Sequence, residues 1–210
     1  MNLLITLPSS QVADLHVVEL TPQHEELLQK FFEDNPDYFI NATGETASPD
    51  EAHEAIHDGP PSGWSYSKKI LIGYINKANR IAAIVDVIQD LLAPNVWHIG
   101  LFMMDSTRYG TGDAQAVFRG IETWTVNNGA QWLRLGAVLG NKRAESFWES
   151  LGFIETRTRE GVEMGKRLNT IRVMFKPLCG GTVAQYLATV ERDRPEKIDV
   201  LTDDIFDPNP

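Results

Sequence analysis

The sequence predicts a mixed α/β (α+β) domain, and three stretches carry the prediction. From Trp97 to Phe153 the chain reads as an apolar strand, a glycine-containing loop, a helix, a second strand and a second helix. Lys69–Ile75 and Arg80–Gln89 are strand-like runs that turn at Asn76-Lys77-Ala78-Asn79. Phe153–Glu160 and Thr170–Leu178 read as a final pair of strands.

Taken in order, Leu15–Leu20 reads as the first strand. Thr21-Pro22 then supplies an N-cap and a favoured first helical residue, with Leu27, Leu28, Phe31 and Phe32 as the buried stripe. Asn35-Pro36-Asp37-Tyr38-Phe39 and a polar loop follow, and Ser48-Pro49-Asp50-Glu51 is a capping box opening a short helix that Asp58-Gly59-Pro60-Pro61 stops. Trp97–Met104 is a continuous apolar run, short enough for a strand buried on both faces. Ala114, Val117, Phe118, Ile121 and Trp124 repeat at helical spacing, and Asn127-Asn128-Gly129 ends that helix. Trp132–Leu139 is the fifth strand. Asn141 is a good N-cap for a helix with Ala144, Phe147, Trp148 and Leu151 on one face and Gly152 at its end. Gly161–Asn169 is expected to be a mobile loop. Gly180-Gly181 marks a boundary, Thr182–Arg192 forms a small helix, and Asp193–Pro210 is expected to be a loose acidic tail. The chain thus divides into a leader (1–14), one domain (15–178) and a C-terminal appendage (179–210).

With 210 residues, 42% of them hydrophobic, a sizeable core is expected. The longest apolar runs are too short to span a bilayer, and the start lacks the basic region and apolar core of a secretion signal. The single cysteine, Cys179, permits no internal disulfide and fits a reducing cytoplasm. A net charge of −10 disfavours a nucleic-acid partner and attracts cations. Between Lys30 and Lys68 there is no Lys or Arg, while Glu33, Asp34, Asp37, Glu45, Asp50, Glu51, Glu54 and Asp58 lie there. Those acids are either a solvated helical surface or one wall of a site for a cation.

The segment Arg108-Tyr109-Gly110-Thr111-Gly112-Asp113-Ala114 lies where a strand ends and a helix begins. The first turn of a helix has N–H groups without internal partners, and small residues let an anion approach them. A bare turn would also account for the glycines. A dinucleotide site needs a third Gly, where this chain has Gln115, and an acid closing the next strand, which is missing. A nucleoside-triphosphate loop needs Gly-Lys-Ser/Thr, which does not follow. A coenzyme A pyrophosphate site needs neither.

The loop Tyr109-Gly110-Thr111-Gly112-Asp113-Ala114, taken with Asn141, Ala144, Phe147-Trp148 and Gly152-Phe153 in that order and spacing, resembles the GNAT-type N-acetyltransferase superfamily over about Leu15–Leu178. The resemblance implies a mixed, mostly antiparallel sheet of about six to seven strands, flanked by helices and splayed between the fourth and fifth strands to admit a pantetheine arm. It implies acetyl-CoA as co-substrate and direct transfer to a primary amine of a small, cationic acceptor, with a non-catalytic acyl-CoA-binding or regulatory domain as the alternative. No nucleic acid or membrane partner is expected, and a homodimer is left open. Met103, Met104, Asn141, Ala144, Phe147 and Trp148 would hold the arm, and Arg108, Lys142 or Arg143 would reach peripheral phosphates. Two positions depart from the family pattern. Tyr109 stands where Gln or Arg is usual, unless the register slips to Thr107, and Trp148 stands where many members carry a Tyr. An indole N–H has no useful acidity, so any proton that the leaving thiolate needs must come from elsewhere or from water.

His98, on the fourth strand, is the favoured base, since an imidazole of ordinary pKa near 6.5 accepts a proton near neutrality. A lone His in an apolar strand is equally read as a core histidine. Asp86 and Glu145 are the further candidates. The histidines His16, His24, His53, His57 and His98 show no convincing metal-ligand spacing, and no metal site is expected. Tyr38, Trp64 and Tyr66 are candidates to line an acceptor pocket.

Overall fold

The computed structural model describes residues 6–195. Seven strands form one sheet in the order β1-β2-β3-β4-β5-β7-β6. They are β1 (Leu15–Glu19), β2 (Lys68–Asn76), β3 (Ile81–Gln89), β4 (Val96–Met104), β5 (Trp132–Val138), β6 (Ile154–Met164) and β7 (Arg167–Pro177). Every pairing is antiparallel except β4 with β5. The helices are α1 (Glu25–Asp34), α2 (Pro36–Thr43), α3 (Glu51–His57), α4 (Asp113–Asn127), α5 (Lys142–Ser150) and α6 (Val183–Thr189).

Side-chain alternation divides the core between the two faces. Trp97 and Ile99 of β4 join Val117, Phe118, Ile121 and Trp124 of α4, and Trp148 of α5 closes that side. On the other face Leu28, Phe31 and Phe32 of α1, Phe39 of α2 and Ala52 of α3 pack on Leu71, Ile84 and Met103. Burial of each such side chain contributes about 1.5–3 kcal/mol. These two clusters pin the helices that carry the site.

Two irregularities of the sheet shape that site. β4 and β5 pair only from Val96↔Trp132 to Ile99↔Leu135. Beyond Ile99, β4 runs on to Met104 beside β3, while β5 continues beside β7, so the expected splay is present. The second is a bulge in β4: Asp86 lies opposite Leu101 and Val87 opposite Ile99, leaving Gly100 without a partner residue.

Three expectations are corrected. Residues 161–169 are no loop: β6 and β7 continue as a hairpin, with Val162 buried opposite Asn169 and Asn169 Nδ2 donating to the Ala42 carbonyl at 2.9 Å. The glycines at 161 and 165 mimic loop punctuation, but contact with α2 supplies the missing partners. Residues 36–43 form α2, started by Pro36 and ended by Gly44 with φ 81°. Asp193, expected to begin a loose tail, is buried in a pair with Arg134. Arg194 next to it donates to the Leu187 carbonyl at 2.6 Å, and residues 196–210 of that predicted tail lie outside the described residues.

Candidate functional site

The loop expected to cradle an anion begins where β4 ends. The Asp105 side chain accepts from Thr107 N at 2.9 Å, folding a single helical turn, and Ser106 N donates to Asn35 Oδ1 at 2.8 Å, which ties the loop to the start of α2. Gly110 (φ 78°) and Gly112 (φ 90°) then turn the chain into α4 through left-handed backbone that favours glycine. A Cβ added at either meets nothing within 4 Å, so the loop lies open. The N–H groups of Gly110, Gly112, Ala114 and Gln115 have no acceptor among the described residues. Thr111 N and Asp113 N are engaged within the loop, so the free donors are fewer than the full run 110–114. Arg108 is held by Asp14 and Asp113 and is not available to a phosphate. Arg143 instead lies 4.3 Å over the Tyr109 ring, bringing one cation to the loop, whereas exposed Lys142 pairs with Glu145.

The splay lies beside that cradle. Along Phe102, Met103 and Met104 the edge of β4 toward β5 has no strand partner, so its backbone groups there are free to meet a ligand. The Asn141 side chain accepts from Ala144 N at 3.2 Å and caps α5. Phe147 lies 5.5 Å from the Phe102 ring. Trp148 is a packing residue: it meets Phe102, Phe118 and Phe153 edge-on at 5.2–5.8 Å and is almost wholly buried.

On the opposite face lies a cavity of about 310 Å³. Its walls include Tyr38 and Phe39 of α2, Glu51, Glu54 and Ala55 of α3 with Asp58 just beyond it, Lys69, Asp86, His98, Gly100, Leu101 and Met164. Four of those side chains are acidic and one is a lysine. Lys69 Nζ donates to the carbonyls of Ala55 and Asp58 at the end of α3, and lies 3.8 Å from Asp86 Oδ2. Asp86 is at the bulge. A Cβ on residue 100 would come within 3.0 Å of Asp86 Oδ2, so glycine there makes room for the carboxylate. Burial pushes the Asp86 carboxyl up to about 6 against the opposing pull of Lys69, and its Oδ1 is buried with no partner. Burial also raises the Glu51 carboxyl and the Tyr38 phenol.

The structure brings Asp86 and His98 to one cavity and leaves Glu145 outside it. Burial, then the nearby Arg134 guanidinium, drives the His98 pKa well below its ordinary value. Arg134 Nη1 lies 3.4 Å from His98 Nδ1, and because a guanidinium only donates, Nδ1 is the acceptor and the proton sits on Nε2. Such an imidazole resists protonation, which disfavours the base role expected of it. Arg134 in turn makes a two-point pair with Asp193 at 2.8 and 3.0 Å, and the Tyr186 hydroxyl also donates to Asp193. Glu145 accepts from Gly140 N at 3.1 Å and from Lys142, so it closes the turn before α5. The Lys142 hydrogen bond is the first cause of its lowered pKa. Trp64 packs under Arg192, and Tyr66 lines a separate small cavity.

Lys69 and Gly100 were missed in the sequence, although a glycine inside an apolar strand is a bulge signal. The histidine spacing also hid a cluster: Glu25, His53 and His57 present ligand atoms within 4.8 Å of one another. The third member comes from another helix, which a sequence interval does not reveal.

No family model matches the chain, and no curated protein matches it by sequence. Solved structures do match. An acetyltransferase from Thermus thermophilus superimposes with TM-score 0.62 at 16% identity, over 80% of this chain and 99% of its own. A GCN5-related N-acetyltransferase from Kribbella flavida gives 0.56 at 19% identity, over 79% and 98%. A spermidine N-acetyltransferase from Vibrio cholerae, solved with CoA and spermine, gives 0.60 at 14% identity, over 79% and 96%. The chain has the GNAT fold of these proteins.

Proposed function

We propose that this chain is an acetyl-CoA-dependent N-acetyltransferase that acts directly on a primary amine of a small cationic acceptor. The observation that carries the reading is the pairing of an open amide cradle beside splayed strands with an acidic cavity across the sheet, floored by a carboxylate whose Oδ1 has no partner. The N–H groups of Gly110, Gly112, Ala114 and Gln115 bind the diphosphate, helped by the positive end of α4. The free edge of β4 near Met103 and Met104 orients the thioester and donates to its carbonyl oxygen as charge develops there.

In the transfer the amine nitrogen attacks the thioester carbonyl carbon, forming a C–N bond and moving the π pair onto oxygen. Collapse of the adduct expels coenzyme A thiolate and leaves the amide. A cationic acceptor first loses its ammonium proton to bulk water, and Asp86, ionised above its pKa of about 6, takes the second proton from nitrogen as the C–N bond forms. His98, fixed neutral, offers an Nε2–H to orient the acceptor. Trp148 donates no proton, and none is needed at departure, since an alkyl thiol (pKa about 8.5 for a cysteine side chain) is acidic enough to leave as thiolate.

Trp148 also favours a second reading, an acyl-CoA-binding domain without catalysis. Thiol release separates the two. Acetyl-CoA with a panel of diamines, neutral amines and amino acids is expected to release thiol and to give an acetylated product with diamines above all. Gly112→Arg, which places bulk on left-handed backbone in the cradle, should abolish calorimetric acetyl-CoA binding. Binding that survives this substitution refutes the cradle; binding without thiol release from any amine leaves the second reading.

A further inference from the structure

The back of α3 carries a cluster that the acetyl-transfer site does not use. His53 and His57 stand one turn apart, their ring centroids 4.3 Å from each other. His53 Nδ1 lies 3.3 Å from Glu25 Oε2 of α1. We propose that Glu25, His53 and His57 form a binding site for one divalent transition-metal ion, which braces α1 against α3 behind the acidic cavity.

The donor set fits such an ion. Imidazole nitrogen suits Zn²⁺, Ni²⁺ and Cu²⁺, and a carboxylate completes three protein ligands with positions left for water. Donors about 2.1 Å from a zinc lie about 3.4 Å apart at tetrahedral angles. All three ligand atoms are already within 4.8 Å of one another, so rotamer changes of exposed side chains close the site. His53 is 56% and Glu25 40% exposed, which leaves that freedom and an open entry path. Residues 31–67 contain no Lys or Arg to repel a cation.

The frame around the ligands is fixed independently of them. One turn along α1, Gln29 Oε1 accepts from Ala52 N at 3.1 Å and Gln29 Nε2 donates to the Ser48 carbonyl at 2.8 Å. Ala52 and Leu28 are buried in the shared core. The register that brings Glu25 beside His53 therefore does not depend on an ion. At 100° per residue, Glu51, Glu54, Ala55 and Asp58 fall on one side of the α3 segment and line the cavity, while His53 and His57 fall on the other. An ion on the back thus stiffens the wall at the front.

The test uses untagged protein stripped with chelator and titrated calorimetrically with ZnCl₂. The expected result is saturable binding of one equivalent per chain. The double variant His53→Asn/His57→Asn should lose it. Glu25→Gln should weaken it by at least about 10-fold, since loss of an outer partner already costs 10–100-fold. His16→Asn, on the edge strand β1 and outside the cluster, should leave it unchanged. Zinc should also slow hydrogen exchange across residues 50–58 in the natural chain and not in the double variant. Absence of saturable binding, or binding equal in the natural chain and the double variant, overturns the proposal. Melting temperatures without zinc, expected to be equal, exclude misfolding of the variants.

Discussion

Replacing Asp86 by Asn should make the protein more stable and slower. The carboxyl sits on the cavity floor with only 14% of its side chain exposed, and burial raises its pKa from 3.8 to about 6. The unfolded chain ionises this group from about pH 4 upward, whereas the fold keeps its proton until about pH 6. Across that window the unfolded state releases a proton that the folded state retains, so stability falls as pH rises, and it levels off above about pH 7. At about 1.36 kcal/mol per unit, a shift of about 2 units amounts to about 3 kcal/mol at neutrality. Asn carries no charge to desolvate and should recover much of that, less what Lys69 loses without a counter-charge 3.8 Å away. For a chain of this size 1 kcal/mol moves the melting temperature by about 2–4 °C, so a rise of several degrees is expected at pH 7.5. Urea unfolding of both chains at pH 4 and pH 7.5 is the assay. The gain should be present at pH 7.5 and nearly absent at pH 4, while turnover falls by about 100-fold or more. An equal gain at both pH values, or none at pH 7.5, refutes the assignment of a desolvated carboxylate.

Two further outcomes follow from the same geometry. Gly100→Val puts a branched side chain where a Cβ already lies 3.0 Å from Asp86 Oδ2. Acceptor turnover should drop by up to about 100-fold while calorimetric acetyl-CoA affinity stays unchanged, because a carboxylate displaced by about 1 Å is enough for such a loss. Arg134→Met leaves Asp193 buried without its cation and should cost about 3–5 kcal/mol in thermal unfolding. The double variant Arg134→Met/Asp193→Leu should regain most of it, since no charge is then left buried alone.

Legibility in the sequence followed the range of the interactions. The strand-to-helix turn was readable because it is made by backbone, and Gly110, Gly112 and the periodic residues of α4 up to Trp124 declare it locally, whereas the splay came only with the family resemblance. The α1 stripe was readable for the same local reason. What sequence reasoning missed is held by distant partners. Val162 and Asn169 form strand rather than loop because the hairpin tip rests on α2. His98 looked like a base of ordinary pKa because its neighbours, Arg134 and Asp193, lie 36 positions and almost a hundred positions away in the chain. Glu145 looked free because helical spacing, which does set Lys142 beside it, does not reveal that Gly140 N also holds it.

The two aspartates Asp86 and Asp193 are held in opposite ways, and the contrast bears on what would bind at Asp86. Burial pushes both carboxyls up, but Asp193 ends below its ordinary value because Arg134 and Tyr186 occupy its oxygens. Asp86 has Lys69 at 3.8 Å and a buried Oδ1 with no donor. A fold that satisfies one such group and leaves the other short holds a carboxylate that gains most from a ligand's N–H. An alkylammonium donating to the Asp86 carboxylate from the cavity would stabilise it and draw its pKa back down from about 6. Near pH 6 about half the chains hold the proton before binding, so each acceptor bound should release up to about half a proton. Titration of a diamine at pH 6 in buffers of differing ionisation enthalpy measures that release directly. Glu51, also raised by burial in this cavity, would add to the signal, so the Asp86→Asn chain is the necessary control. Release that is unchanged in that chain, or absent from the natural one, would remove Asp86 as the group that receives the amine.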